Sequence, residues 1–412
     1  MEKKKLVILG FGQRGRGYAS FAKNNPEKFE IAAVIDTDKE RLDEAKAEYP
    51  AAGVYADYKD FIKDKVRADM VAVCTQDEQH KEHAIAMMAA GYDLLLEKPI
   101  ANNRKDCEEI YKASIKYGRK VIVCHVLRYS PFYSAVKKVI DSGELGEIIT
   151  INASENVGYW HQSHSFVRGP WRNKEQSSPM ILAKCCHDMD IIRYLMGEKC
   201  VSVNSYGSLY YFNKDHAPDG STEYCSACPH SETCLWNAQR LYTTEEYGWT
   251  VGYFGKVGSS KEEILRDLKG TQYDKCVFHN DNDVVDHEVT IMQFANGKTA
   301  CHTMTAFSKN VYRDLKVHGT KAELYGSMED NCFEIRYFGK DTKKVTIDLS
   351  NVNSGSHNGG DYCMMSSLYE NLNGEKAEGI TYLDVSLESH LMSFAAEESR
   401  LRNGKTIKIK TK

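Results

Sequence analysis

Three short stretches of this 412-residue chain concentrate the residue types that chemistry needs. The first is Gly10-Phe11-Gly12-Gln13-Arg14-Gly15, placed between an apolar run and a stretch with helical spacing. Glycines at that spacing permit a tight turn and let backbone N–H groups approach a pyrophosphate at a helix N-terminus. Three glycines can fall this way by chance. Here, however, the next apolar run ends in Asp36, about 20 residues downstream, where an acid accepts hydrogen bonds from an adenosine ribose. Thr37 and Asp38 follow, with no arginine adjacent to hold a 2′-phosphate, so NAD is expected over NADP.

The second stretch is Leu94-Leu95-Leu96-Glu97-Lys98-Pro99. Ligands of doubly wound sheets sit outside the carboxyl ends of the strands, so Glu97 and Lys98 should face the cofactor. A salt-bridged pair at a strand end fits the spacing equally well. The third stretch is ILAKCCHDMD, Ile181–Asp190, in a run with helical spacing that ends at Gly197. On one helix Lys184, His187 and Ile191 share a face, and Asp190 is i+3 from His187. Cys185 and Cys186 would point elsewhere, which argues against a metal site built from this stretch alone. From the residues alone, His187 reads more readily as a satisfied core histidine than as a catalytic one.

These stretches need elements to hold them. KLVIL, FEIAAVI, ADMVAVC, DLLL and KVIVCHV read as buried parallel strands, and amphipathic stretches lie between them, so residues 1–126 are expected to form a doubly wound α/β domain. The pattern then changes. EIITINASE, CVSVNSYGSLYYF and HEVTIMQF read as strands, with hairpins expected at Asn296-Gly297 and at Lys340-Asp341-Thr342. A last helix, about 383–403, closes a second domain of residues 127–412 and is expected to pack back on the first. The chain's length suits two domains. Its 42% apolar and 27% charged residues are those of a soluble globular protein. A net charge of −4 with both signs interspersed points to neither nucleic acid nor an anionic membrane. Four apolar residues before Gly10 are too few for a secretory core, and no run approaches the ~18 residues of a membrane span. The 13 cysteines therefore read as reduced thiols in a cytoplasm.

Taken together, Gly10-x-Gly12-x-x-Gly15, Asp36, the Thr75–His80 loop before a helix and above all Glu97-Lys98-Pro99 resemble the Gfo/Idh/MocA oxidoreductases. HVLRYSPFY, from His125, followed by SGELGEI is similar to that family's crossover into its second domain. The resemblance implies an N-terminal Rossmann domain and a C-terminal α+β domain with a large, mostly antiparallel sheet whose face often forms a homodimer or homotetramer interface. It also implies an NAD(P)-dependent dehydrogenase acting on a sugar, cyclitol or other polyol, with Phe11, Gln13, Arg14, Thr75 and His80 joining the glycines, Asp36, Glu97 and Lys98 around the cofactor. The family carries a catalytic histidine at the position of His187 and an aspartate four residues before it, where this chain has Ala183. The acid/base pair implied is then His187 with Lys98 or Lys184. A lone lysine, with an unperturbed pKa of ~10.4, is a poor base at neutral pH, and a second positive charge nearby would make it a better one. Lys98 is expected at the reacting oxygen, His187 as its partner or the base itself, and Lys184 as electrostatic modulator.

For substrate, the segment 157–173 offers the flat faces of Trp160 and Trp171 and the donors His161, His164, Arg168 and Arg172. Arg128 and Tyr129, at the start of the second domain, and His357, in a glycine-rich turn with Asp361, are further expected contacts. Cys225, Cys228 and Cys234 have knuckle spacing, and Cys276, His279 or His230 would complete a tetrahedral zinc; a loop of reduced cysteines is as good a reading. Two enzymatic functions fit: a dehydrogenase with net NADH formation, and a glycosidase that oxidises its substrate transiently with no net redox change. A nucleotide sensor without catalysis is the third reading, disfavoured by Lys98 and His187 at one cleft.

Overall fold

The computed structural model describes residues 1–244, 250, 253–254, 258–350, 352 and 356–409. Its first sheet has six parallel strands: β1 (Lys4–Leu9), β2 (Phe29–Ile35), β3 (Gly53–Tyr55), β4 (Met70–Val73), β5 (Leu94–Leu96) and β6 (Val121–Val123), in the order β3-β2-β1-β4-β5-β6. The central strands are apolar on both faces because helices cover both sides, and Leu6, Val7 and Ile8 are fully buried. The order reverses direction between β1 and β4, so the carboxyl ends of these two strands open a crevice. Strand β3 is too short to show a period and so leaves no mark in the sequence pattern. Helix 104–117 starts on the Asn103 side chain and ends at Gly118, whose φ of 62° suits a left-handed cap.

The second sheet is mixed and mostly antiparallel. Its strands are β7 (Ile148–Asn156), β8 (Cys200–Ser208), β9 (His287–Phe294), β10 (Thr299–Thr305), β11 (Tyr312–Gly319), β12 (Ala322–Ser327), β13 (Cys332–Tyr337), β14 (Thr342–Thr346) and β15 (Ile407–Lys408). They run in the order β14-β13-β12-β11-β7-β10-β9-β8-β15, with only β7 and β10 parallel. Asn296 and Gly297 both take positive φ in the β9–β10 hairpin, as an Asn-Gly turn requires. One sheet face packs Ile151, Val203, Met292, Met304, Leu315 and Val317 against helices 131–141 and 186–196. The other leaves Ile149, Val201, Tyr206, Val289, Ile291 and Tyr325 exposed.

Two late helices return to the first sheet. Helix Gly360–Leu372 places Met364, Met365, Leu368 and Tyr369 in the N-terminal core, and its Tyr362 ring meets Phe21 edge-on at 5.1 Å. Helix Leu383–Leu401 gives Leu383, Leu387 and Leu391 to the first domain's core and Met392, Ala395 and Ala396 to the second's. Its His390 accepts a hydrogen bond from the Ile100 backbone at 2.9 Å, just beyond Lys98 and Pro99. Among the described residues no helix is long and apolar enough to cross a membrane.

The run through His187 is not the single helix that its spacing predicts. Met180–Ala183 forms one short helix and Cys186–Met196 another, with Lys184 and Cys185 at the break. The i, i+3 relation between Lys184 and His187 is lost with it.

Candidate active site

The turn from β1 into helix Gln13–Asn24 forms one wall of a cleft of ≈ 580 Å³ outside the carboxyl ends of the strands. Gly10, Gly12, Gln13, Asp36 and Thr75 line it, together with Arg41, Tyr58, Lys59 and His83, which no motif marks in the sequence. Gly10 has φ +96°, and a Cβ there would lie 2.7 Å from the Cys74 carbonyl; a Cβ on Gly15 would lie 2.1 Å from the Gly10 oxygen. Gly12 differs: a Cβ would meet no protein atom, so its bareness keeps cleft volume open. No side chain caps the helix that starts there and no acid stands in its first turn, so its N–H groups and positive dipole end remain available to an anion. Asp36 accepts from the Phe11 and Asp38 backbones at 2.7 and 2.9 Å, which anchors the glycine turn to the end of β2. The Phe11 ring itself is buried in the core. Arg41 reaches back to within 3.5 Å of Asp36 and 3.6 Å of Asp38, so an arginine stands beside Asp36 after all, brought there by the helix turn. These features fit a dinucleotide, with the pyrophosphate at Gly12 and the ribose at Asp36.

Glu97 does not face the cleft. It is buried, and its Oε1 accepts from Arg14 at 2.6 Å and from Tyr18. Burial opposes its ionisation, but Arg14, Tyr18 and Lys98 outweigh that and hold the carboxyl below its usual range. Arg14 also pairs with Asp361 at 2.5 Å, and Asp361 with His357 at 2.8 Å. Arg14 therefore ties β5 to helix 360–372 rather than lining the cleft. His80 is likewise internal, its ring nitrogens 2.8 Å from the Pro99 carbonyl and 3.2 Å from that of Thr75. It fastens the loop after β4 to the turn carrying Lys98, and is a positioning group rather than a cofactor contact.

Lys98, preceding a cis proline, points across to the second domain. Its Nζ donates to the carbonyl of Ala183 at 3.2 Å. That carbonyl ends the short helix, where the last C=O groups lack helical partners. The position that carries no aspartate side chain here thus offers Lys98 a backbone oxygen instead. One turn further, His187 is buried, and its Nδ1 has no hydrogen-bond partner among the described residues. Burial, then Lys98, His357 and His125, push its pKa well below that of free histidine. The His125 and His357 rings stand 5.9 and 5.6 Å from it, and His390 stands 5.4 Å beyond His125. Asp77 completes the group: burial raises its pKa, His80 and Lys98 partly offset this, and its Oδ2 is buried without a hydrogen bond. No spacing flags Asp77, His125 or His390.

Several expected groups belong elsewhere. Lys184 turns to Glu155 at 3.3 Å, in a cluster with Arg313, and does not converge on Lys98. Arg128 is buried and fully engaged, donating to both Asp190 oxygens at 2.6 Å, so it is not open to substrate. The Tyr129 hydroxyl bonds Thr381 at 3.2 Å within the core. Segment 159–168 is helical and largely buried rather than a carbohydrate-facing loop. His164 bonds the Tyr242 hydroxyl at 2.8 Å, His161 packs between Trp160 and Phe166, and Trp160 faces Leu235, Trp236 and Leu241. Arg172 pairs with Asp281 at 2.7 Å on the surface. Trp171 alone among these faces the first domain, sharing a groove of ≈ 90 Å³ with Gln76, Asp77 and Glu78.

An oxidoreductase family's NAD-binding Rossmann fold matches residues 4–125, and the same family's C-terminal alpha/beta domain matches residues 137–381. The chain belongs to the Gfo/Idh/MocA oxidoreductase family. This Gfo/Idh/MocA member is 24% identical to the putative oxidoreductase YteT of Bacillus subtilis over 89% of the chain and 88% of that protein. It is 30% identical to inositol 2-dehydrogenase 2 of Saccharopolyspora erythraea, over 49% of the chain and 56% of that protein. A levoglucosan dehydrogenase in complex with NADH and levoglucosan superposes with a TM-score of 0.73 at 16% identity, covering 99% of this chain and 100% of that one. The WlbA dehydrogenase of Bordetella pertussis, in complex with NADH and UDP-GlcNAcA, gives 0.67 at 16%, covering 99% of each.

In this Gfo/Idh/MocA chain the cysteine loop takes the arrangement of reduced thiols rather than of a closed zinc clip. Among the described residues no three of Cys225, Cys228, Cys234 and Cys276 bring their sulphurs within 4.8 Å of one another. Arg168 organises that loop instead: it is fully buried, with its guanidinium 3.6 Å from the Cys225 sulphur and donating at 2.7 Å to the carbonyls of Lys275 and Trp236. That accounts for Arg168 as an internal pin of the insertion, not a substrate contact. A cation held among the thiols is a poor neighbour for a second, metallic one.

Proposed function

We propose that this protein is an NAD-dependent dehydrogenase of a sugar or polyol hydroxyl, with Lys98 and His187 as its acid/base groups. The observation that carries the reading is the Lys98 ammonium, which leaves the carboxyl edge of the first sheet to reach, at 3.2 Å, the Ala183 carbonyl that ends the short helix just before the His187 helix. Gly12, Gln13 and Asp36 would hold the dinucleotide, whose nicotinamide, when bound, supplies the hydride acceptor. The chain's own task is then the hydroxyl proton. Lys98, presented beyond β5, is placed to orient the reacting oxygen. His187 is kept neutral by burial and by the positive charge of Lys98; the same surroundings weaken it as a base, so its Nδ1, unpartnered among the described residues, is left to accept the hydroxyl proton as charge develops on the reacting oxygen. Asp77, whose carboxyl feels the charge of Lys98, shares a groove with Trp171, and these two are the groups placed to meet a hydroxylated ring. His357, anchored by Asp361, backs His187. Asp36 leaves little room for a 2′-phosphate, since Arg41 is already paired with the acids, and NAD is preferred on that ground.

Names of relatives point the same way: they include an inositol dehydrogenase, a levoglucosan dehydrogenase and a dehydrogenase crystallised with a nucleotide sugar. The test is incubation with NAD and a panel of inositols, monosaccharides and glycosides, following nicotinamide absorbance and sugar products together. Net NADH with an intact oxidised sugar is expected. Release of an aglycone without NADH would replace the proposal with the redox-neutral glycosidase, and no turnover on the whole panel would restore the sensor reading.

A further inference from the structure

One of the two cysteines that helical spacing turns away from a site, Cys185, converges with other donors. The ligating atoms of Cys185, Asp188 and His302 lie within 4.8 Å of one another, and all three residues are buried. Cys185 stands at the break before helix 186–196, Asp188 one turn along, and His302 comes from β10 of the second sheet. His302 is fully buried, yet neither ring nitrogen has a hydrogen-bond partner among the described residues. Asp188 Oδ1 takes a hydrogen bond from Arg313 at 2.9 Å, while its Oδ2 has none. An imidazole with two idle nitrogens beside an idle carboxylate oxygen and a thiol is a costly arrangement to bury, and one cation would engage one of those nitrogens, the carboxylate oxygen and the sulphur together.

Charge points the same way. With Cys185 as thiolate, the buried Cys185, Asp188 and Glu155 and the partly exposed Glu329 carry four negative charges against the two positive charges of Lys184 and Arg313. A divalent ion brings the group to neutrality. We propose that Cys185, Asp188 and His302 bind a divalent transition-metal ion of the zinc class. Sulphur, nitrogen and oxygen donors together suit zinc, whereas magnesium and calcium take oxygen alone. Glu155 lies nearby on β7, paired in register with Met304 two residues beyond His302, and its two oxygens face Lys184 and Arg313. All the donors are enclosed, so the ion is structural: it pins the break at Lys184–Cys185 to the second sheet and so fixes where the His187 helix begins.

The test uses the full chain purified without an immobilised-metal column, dialysed against zinc, desalted and analysed for metal by mass spectrometry. About one ion per chain is expected in the wild type and in Cys228→Ser, which disables the other cysteine cluster. His302→Gln and Cys185→Ala should each retain less than a tenth of that. Folded wild type without metal, or full retention in His302→Gln, overturns the site. Should these variants not fold, the cobalt-loaded wild type decides: a tetrahedral spectrum with charge-transfer intensity of one thiolate supports the site, while several thiolates or none contradicts it.

Discussion

Gly12 and Glu288 show how much a single residue can report. Gly12 is bare because the cleft needs the volume, not because the backbone needs a left-handed turn. Gly12→Val should therefore fold with an unchanged melting temperature and lose NADH affinity by about tenfold or more in a fluorescence titration. Glu288, buried beside Ser205, has its pKa raised by burial to about 7 from an ordinary value of 4.5. The folded state then holds the proton over a range where the unfolded chain releases it. This group's contribution to stability is fullest below pH ~4.5 and falls as pH rises towards 7, with a slope of at most about 1.4 kcal/mol per pH unit. Denaturation of Glu288→Gln at several pH values should show that slope removed and the neutral-pH protein stabilised. The glycine turn and Asp36 are legible in the sequence because their spacing to strands is local. Asp77, Arg41 and His125 are not, because burial and the neighbours that give them meaning come from distant parts of the chain.

At the scale of elements, the instructive case is the pair of helices around His187. Helical spacing runs unbroken through the segment, yet the chain breaks at Lys184–Cys185, and side chains expected on one face serve different clusters. Strand alternation carries a subtler signal: Ala300, His302 and Met304 alternate with Thr and Cys on β10, which puts a histidine among core residues. Arg313 on β11 is inward by the same logic. Arg128 belongs to helix packing rather than to substrate, and the two roles separate experimentally. Arg128→Met leaves Asp190 as a buried, unpaired charge and should cost about 3–5 kcal/mol in denaturant unfolding. Adding Asp190→Asn should recover much of that, whereas a substrate contact would raise KM with no loss of stability.

For the whole molecule, the alternation of strand and helix and the later hairpins foretell two sheets. The return of the last helix to the first domain is also expected, whereas that of helix 360–372 is not. Helices 360–372 and 383–401 pass back to the first sheet's core, and the second of them also packs into the core of the second sheet, so late segments as well as the crossover join the two. The bare outer face of the second sheet is a further whole-molecule feature. Val289 and Ile291 are exposed there beside Tyr206, and we propose that a second copy of the chain covers them. Ile291→Glu should lower the sedimenting mass without lowering the melting temperature, and a monomeric wild type would remove the proposal. In the proposed mechanism the joining of the two domains brings Lys98 of one to Ala183, just before the His187 helix of the other, to make one catalytic centre. The most direct measurement is kcat of Lys98→Ala beside wild type, under saturating NAD and the substrate the panel identifies. A fall of about 10²–10⁴-fold with NADH binding and stability retained is predicted, and turnover within a factor of a few of wild type would contradict the account.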